Sequence, residues 1–257
     1  MKDQVIDVMK VCQVFYILCH IFGILVLLIF KNSIFSSYYS SLIFWLIKIS
    51  SGILFFIAGR NPGYTSKSEF EAQCELQEND WDPPLKLKCE ICDITQPYRT
   101  KHCYECEECI SKFDHHCFWL GSCVGELNHF KFVLYLILES ISLVWIFFYC
   151  FEGNSIKQYL FYAILGLMCI GFGALTIGLG VFHVYIISIG TTTWEVFRRK
   201  SISYLKPYPY NYHPFSKSFL KNWADCIKAT NIKQWVLPRP LAVYPFNWFE
   251  NEYWSCC

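Results

Sequence analysis

The chain has 257 residues, 54% of them hydrophobic and 19% aromatic, a composition too apolar for an ordinary soluble domain. A formal net charge of +1 gives no support for nucleic-acid binding, which rests on concentrated basic surface. Fifteen cysteines would suit a secreted disulfide scaffold, but such scaffolds are short and polar; here seven cysteines and three histidines cluster between Cys89 and Cys123, as in metal sites of a reducing compartment.

Four apolar stretches are long enough to cross a bilayer core of about 30 Å as helices. The first two, residues 11–30 and about 41–59, are joined by the short link KNSIFSSYYS, which permits only an antiparallel hairpin. The first is too long for a signal peptide and no small-residue cleavage site follows it, so it reads as a retained helix. After the cysteine-rich segment come residues 132–151 and 159–189, separated by EGNSIKQ. Gly166, Gly171, Gly173, Gly178 and Gly180 in the fourth stretch predict close packing, tilt or a cytosolic extension of the helix. The segments before residue 11, from 60 to 131 and after 189 hold 2, 8 and 9 Lys and Arg residues, against only Lys31 and Lys157 in the two links. By the positive-inside rule both termini and the cysteine-rich segment face the cytosol. His20, Lys48 and Glu139 lie inside spans, where a charge is costly unless paired. Burial in the bundle or snorkelling explains them more simply than a proton path. Residues 201–257, rich in aromatics and carrying Pro207, Pro209, Pro214, Pro238, Pro240 and Pro245, read as an irregular domain against the membrane interface. Cys256 and Cys257 form a weak lipidation signal. No sequence repeat is evident. The expected fold is an all-α polytopic membrane protein: residues 1–59 with transmembrane helices 1 and 2, a cytosolic zinc-binding module at 60–131, helices 3 and 4 at 132–189, and a cytosolic C-terminal domain at 190–257.

The segment CEICDITQPYRTKHCYECEECISKFDHHCFWLGSC holds ten candidate ligands. A structural zinc takes four, commonly two from a C-x2-C knuckle, so two zincs use eight and leave two. His102 and Cys103 are adjacent and point to opposite sides of an extended backbone, which assigns them to different metals. One site is then Cys89, Cys92, His102 and Cys109, and the other Cys103, Cys106, His116 and Cys123. His115 and Cys117 remain, two residues apart and on one face of an extended run. Asp114 can orient the His115 ring, giving the Cys-His-acid pattern of nucleophilic catalysis. Spacing alone also permits His115 and His116 to exchange roles.

On these residues the sequence resembles the DHHC protein S-acyltransferase family, the palmitoyltransferases. Pro97, Arg99, Asp114 to Cys117, Trp119, Cys123, Gly125, Asn128 and Phe132 match its pattern. Asn61-Pro62-Gly63 resembles its Asp-Pro-Gly element, Thr192-Thr193-Trp194-Glu195 its Thr-Thr-x-Glu element, and Asn222 the asparagine of its C-terminal motif. The chain departs from the family at Gln96, Ser122 and Asn61, and lacks the glycine usual near Asn222. The resemblance implies an acyl-CoA-dependent protein-cysteine S-palmitoyltransferase. Cys117 would take a long-chain acyl group from palmitoyl-CoA and pass it to cytosol-facing cysteines of other proteins, with His115 as base and Asp114 as its orienting acid. Thr192, Thr193, Glu195 and Asn222 would support the site. Trp119 would line the acyl cavity, and Arg99, Lys101, Lys112, Arg198 or Arg199 could meet the CoA phosphates. Two structural zincs, a bilayer of the ER, Golgi or plasma membrane, and no nucleic acid complete the expectation. The rivals are a catalytically inactive zinc adaptor and a membrane RING-like ubiquitin ligase, although the compact H-C-x2-C-x2-C run does not match RING spacing.

Overall fold

A computed structural model describes residues 2–29, 38–65, 87–150 and 156–229 of the chain. The links at 31–37 and 151–155, Pro238, Pro240, Pro245, Cys256 and Cys257 lie outside the described residues. Four long helices are formed: α1 (Lys2–Ile29), α2 (Tyr38–Ala58), α3 (His129–Tyr149) and α4 (Ile156–Ser188). Apolar side chains and internally satisfied backbone groups make the helix the stable form of such segments in lipid. Residues Tyr38–Ala58, His129–Tyr149 and Tyr159–Ser188 are long and apolar enough to cross a membrane. In α1 the described apolar stretch is the shorter Gln13–Leu25.

Helix α3 is the hub, packing against α2 on one side and α4 on the other. It buries Phe132, Val133, Leu136, Glu139, Ser142 and Ile146, a three-to-four-residue spacing that aligns them along its inner face. The three polar residues expected within spans meet there. Glu139 Oε1 accepts from Lys48 Nζ at 2.7 Å and pairs with His20 Nε2 at 3.1 Å, while Ser51 Oγ donates to Oε2 at 2.6 Å. This cluster ties α1 and α2 to α3 and satisfies each group, which meets the cost of placing charge at that depth. Helix α1 is fixed further by Tyr16 stacked on Phe55, 4.1 Å between centroids, and by Gln13 Nε2 donating to the Leu120 carbonyl at 2.7 Å.

Between α2 and α3 the chain forms three antiparallel hairpins: β1–β2 (Leu87–Cys89 with Ile94–Gln96), β3–β4 (Lys101–Cys103 with Glu108–Ile110) and β5–β6 (His115–Cys117 with Ser122–Val124). Their registers coincide under a shift of 14 residues: Cys89 pairs Ile94, Cys103 pairs Glu108, and Cys117 pairs Ser122. Asp93, Glu107 and Gly121, also 14 apart, take the left-handed conformation that closes each turn. An internal repeat therefore exists where the sequence alone showed none. It is masked because the third copy has Leu120 where the first two have Cys92 and Cys106, and the first has Thr95 where the others have Cys109 and Cys123.

The module is seated on the helices by short polar clamps. Asn128 accepts from the Gly125 amide at 2.8 Å and donates to the carbonyls of Ala58 and Cys123 at 2.6 and 2.8 Å, joining the end of α2, the last hairpin and the start of α3. Gly125 has no room for a side chain: a Cβ there would lie 2.6 Å from the Pro62 carbonyl oxygen and 2.7 Å from Ile110. After α4 the chain turns at Gly190, forms the short helix α5 (Thr193–Arg198) and ends its described part in α6 (Phe219–Ile227). Helix α6 packs on the start of α3 and the end of α4 through a cluster of Val133, Ile187 and Cys226.

Candidate active site and metal centres

The hairpin repeat explains how the ligands are grouped. The tip of each of the first two hairpins carries a C-x2-C pair, and the paired strands of the next hairpin supply one histidine and one cysteine facing that tip. Cys89 and Cys92 thus meet His102 and Cys109, and Cys103 and Cys106 meet His116 and Cys123. His102 Nδ1 lies 3.6, 3.3 and 3.9 Å from the sulfurs of Cys89, Cys92 and Cys109. His116 Nδ1 lies 3.5, 3.4 and 3.5 Å from those of Cys103, Cys106 and Cys123. Zinc bonds of about 2.3 Å to sulfur and about 2.05 Å to nitrogen give a tetrahedral N–S edge of roughly 3.55 Å. Both donor sets therefore have the size and chemistry of a closed four-ligand metal centre. Gln96, which departs from the family's basic residue, donates to the Cys109 sulfur at 3.3 Å, the sort of outer contact that stabilises a thiolate ligand.

The third tip has no following hairpin to complete it and carries Leu120 in place of a second cysteine. Cys117 is accordingly a knuckle cysteine without a metal set. It packs against Phe55, Phe132, Tyr135 and Leu136. The alternation of β5 turns His116 to the second donor set and His115 to the other side, where its Nδ1 hydrogen-bonds Asp114 Oδ2 at 2.8 Å. Burial disfavours the His115 imidazolium, but the bonds to Asp114 and Cys117 outweigh it and push its pKa up to about 9.

Asp114 is 1% exposed, so its orientation is fixed by what it touches. The backbone N–H of Thr193, at the start of α5, donates to Oδ1 at 2.8 Å, and the Trp194 amide donates to the Asp114 carbonyl at 3.1 Å. Burial opposes ionisation of this carboxyl, but His129, the His115 bond and His183 hold it below the usual carboxylate range. Helix α5 is itself built by the Thr-Thr-x-Glu run. Thr192 is its N-cap, accepting from the Glu195 amide at 3.2 Å, while Glu195 accepts from the Thr192 amide at 3.0 Å, a complete capping box. Thr191 Oγ1 adds a third contact to Glu195.

Arg99 is the larger surprise. Its guanidinium is buried in a two-pronged pair with Glu195, Nε to Oε1 at 2.8 Å and Nη2 to Oε2 at 2.7 Å, and also donates to the Gly190 carbonyl. These three bonds, from Nε and Nη2, hold α5 against the module. Lys101 lies 3.8 Å from the Trp194 ring centroid and 4.6 Å from that of Phe113, a cation–π contact on the same junction. Asn222 donates to the Ser188 carbonyl at 2.8 Å and accepts from the Lys217 amide at 2.9 Å, fixing α6 to the end of α4. Two residues that sequence reasoning passed over stand behind Asp114. His129 and His183 bond each other at 2.9 Å and lie 4.0 and 3.9 Å from its oxygens. His183 was findable as a further polar residue within an apolar span; His129 carried no such signal.

An apolar cavity of about 460 Å³ opens at Cys117 and runs between the helices. His115, Cys117 and Trp119 stand at one end, and Phe44, Ile146 and Leu165 line the other. Trp119 is braced by Phe15 and Phe172, with centroids 6.5 and 6.4 Å away. The arrangement sets an unligated thiol beside an imidazole–carboxylate pair, at the mouth of a hydrocarbon-lined chamber.

Residues 84–200 match the family model of the DHHC palmitoyltransferase domain. Palmitoyltransferase ZDHHC12 of Homo sapiens is 34% identical over 197 residues, covering 71% of this chain and 72% of its own length. Protein S-acyltransferase 10 of Arabidopsis thaliana is 38% identical over 141 residues, 53% of this chain and 42% of its own. A Dictyostelium discoideum protein bearing a ZDHHC-type palmitoyltransferase name is 33% identical over 202 residues, 70% of this chain and 45% of its own. The chain thus spans less than half the length of the plant and Dictyostelium relatives.

Proposed function

The chain belongs to the DHHC palmitoyltransferase family, and from that premise we propose that it is a protein-cysteine S-acyltransferase working by a two-step covalent mechanism. The observation that carries the reading is Cys117: the knuckle cysteine outside both donor sets, beside His115 and Asp114, at the mouth of the apolar cavity. In the first step the Cys117 thiolate attacks the thioester carbonyl of a long-chain acyl-CoA. The bond to the CoA sulfur breaks, and His115, as imidazolium, supplies the proton that CoA takes away. In the second step a protein cysteine thiol gives its proton to His115 and attacks the Cys117 thioester, and Cys117 leaves as thiolate. Asp114 holds the His115 ring with Nδ1 toward itself, which leaves Nε2 for these transfers. The cavity keeps the acyl chain out of water, an arrangement favoured by about 0.8 kcal/mol per buried CH2.

The two four-residue donor sets suit two structural zincs: each is complete with protein ligands, so a bound metal would hold the hairpins and leave no open position for chemistry. Helix α1 serves as the fourth span, and the module, the C-terminal part and the segment before α1 face the cytosol, in keeping with the Lys and Arg distribution. Protein substrates present cytosol-facing cysteines near the membrane of the ER, Golgi or cell surface. The domain limits 1–59, 60–131, 132–189 and 190–257 belong to the same reading.

The test is incubation of the detergent-purified, zinc-loaded protein with labelled palmitoyl-CoA. A hydroxylamine-sensitive label on the wild type and none on Cys117→Ser is expected. Absence of label on the wild type, or its persistence on the variant, overturns the assignment.

A further inference from the structure

Five cations of the cytosolic face were candidates for phosphate contact, and four have protein partners. Arg99 holds Glu195, Lys101 lies on the Trp194 and Phe113 rings, and Arg198 is 5.9 Å from the Trp194 centroid. Arg199 donates to the carbonyls of Pro209 and Tyr212 at 2.6 and 2.7 Å. Lys112 alone among them has neither a hydrogen bond nor an ion pair with any described residue. It instead lines a second cavity, of about 230 Å³, that shares no residue with the chamber at Cys117.

This cavity is polar and lies where α3 begins and α4 ends. Its walls come from the module (Ser111, Lys112, Glu126), the start of α3 at His129, the end of α4 at Ile187, and α6 with its flanks. Arg99, Lys217 and Lys228 also face it. The acids nearby are already engaged: Glu195 by Arg99, Glu126 by the Ser111 hydroxyl at 2.6 Å, and Asp225 by Lys217 at 2.8 Å. The Ser111 hydroxyl leaves the Glu126 charge in place, so among the described residues four cations, Arg99, Lys112, Lys217 and Lys228, face three carboxylates, and one positive charge is in excess. Partial burial and the neighbouring Arg99 both work against the Lys112 ammonium and hold its pKa below that of a free lysine. An anion in the cavity would relieve that penalty. The volume is several times the roughly 30 Å³ of a water, enough for a tetrahedral oxyanion and part of its ester group.

We propose that this cavity binds a phosphate group, with Lys112 as its main ligand and Arg99, Lys217 and Lys228 around it, the source being a phosphomonoester lipid headgroup or free inorganic phosphate. The ligand would bridge the zinc module, the end of α4 and α6. It would thereby steady the wall that includes His129, the residue packed behind Asp114. The inference goes beyond acyl transfer and is read by binding, so it stands or falls separately from the catalytic assignment.

The experiment is thermal unfolding of the full, zinc-loaded chain in detergent with inorganic phosphate titrated at constant ionic strength. It is repeated in nanodiscs of phosphatidylcholine with and without phosphatidate. A saturable rise in melting temperature is expected, with apparent affinity at least tenfold weaker in Lys112→Met, kept in Lys112→Arg and unchanged in the exposed control Lys200→Met. Retained zinc content in Lys112→Met separates lost binding from misfolding. A rise with phosphatidate that excess phosphate competes away identifies the lipid as source, and a rise with phosphate alone identifies the free ion. No saturable rise with either, a rise indifferent to Lys112, or a rise produced only by CoA overturns the proposal.

Discussion

At the scale of single residues, the site depends on differences between neighbours. His115 and His116 are adjacent and share a side-chain type, yet the strand sends one ring to a carboxylate and the other to three sulfurs. This has a pH consequence. With a pKa raised from the ordinary 6.5 to about 9, His115 is mainly imidazolium below about 9 and loses that proton as pH rises through it. Autoacylation should therefore hold at neutral pH and decline on the alkaline side near 9, as the proton for the departing CoA sulfur is lost. Asp114→Asn removes a bond that raises this pKa, so the decline should move to lower pH along with a fall in maximal rate. A pH–rate profile in which the alkaline limb stays put or moves upward would contradict the pairing. Arg99 gives a second residue-scale test. Both it and Glu195 are more than nine-tenths buried, so Arg99→Met leaves a buried carboxylate alone and should destabilise the fold by about 3–5 kcal/mol. Thermal melting would read this. A normal melting curve with only a raised KM for acyl-CoA would instead return Arg99 to the role of phosphate contact.

At the scale of elements, the donor groups were legible because ligand spacing is local: a C-x2-C knuckle and the strand pair that follows it lie within about 20 residues, and tetrahedral geometry admits few groupings. What could not be read is whatever closes over long sequence distances. Arg99 and Glu195 are 96 residues apart, and Glu139 lies 119 residues from His20 and 91 from Lys48. Their meeting is fixed by tertiary packing, of helix on helix for Glu139 and of the module on α5 for Arg99, which single-residue polarity does not report. The Thr-Thr-x-Glu run was visible as a motif, but its physical content, a capping box that aims a backbone N–H at Asp114, appears only in the folded chain. The intramembrane cluster carries the element-scale prediction. Lys48→Met removes the main partner of a carboxylate that is 3% exposed, and should cost about 3–5 kcal/mol. Replacing both ends, as in Lys48→Met with Glu139→Leu, should recover most of that loss, because no charge is then stranded. If the double variant melts no higher than the single one, the cluster does not act as the pair described.

At the scale of the molecule, two kinds of cohesion are stacked. The helices hold together by apolar packing along α3, with Phe44, Ile146, Tyr149 and Tyr162 at one end and Phe55, Phe132 and Leu136 at the other. The hairpins have strands of only three residues and clusters made largely of the ligand cysteines themselves, Cys89, Cys92, Cys103, Cys106, Cys109 and Cys123. A unit of that size has little core of its own, so metal binding supplies much of its folding free energy. Removing the metals should therefore act unequally. A strong chelator should release about two zincs per chain and abolish autoacylation, since β5 carries both His115 and Cys117 and shares His116 with a donor set. The helical signal in circular dichroism should remain near its starting value, because the spans do not pass through the metal centres. Loss of helicity in step with zinc would mean that the module, through Asn128 and the Arg99–Glu195 pair, holds the spans as well as being held by them. Retention of activity after both metals are lost would remove the structural role assigned to the hairpins and, with it, the account of why Cys117 is held where it is.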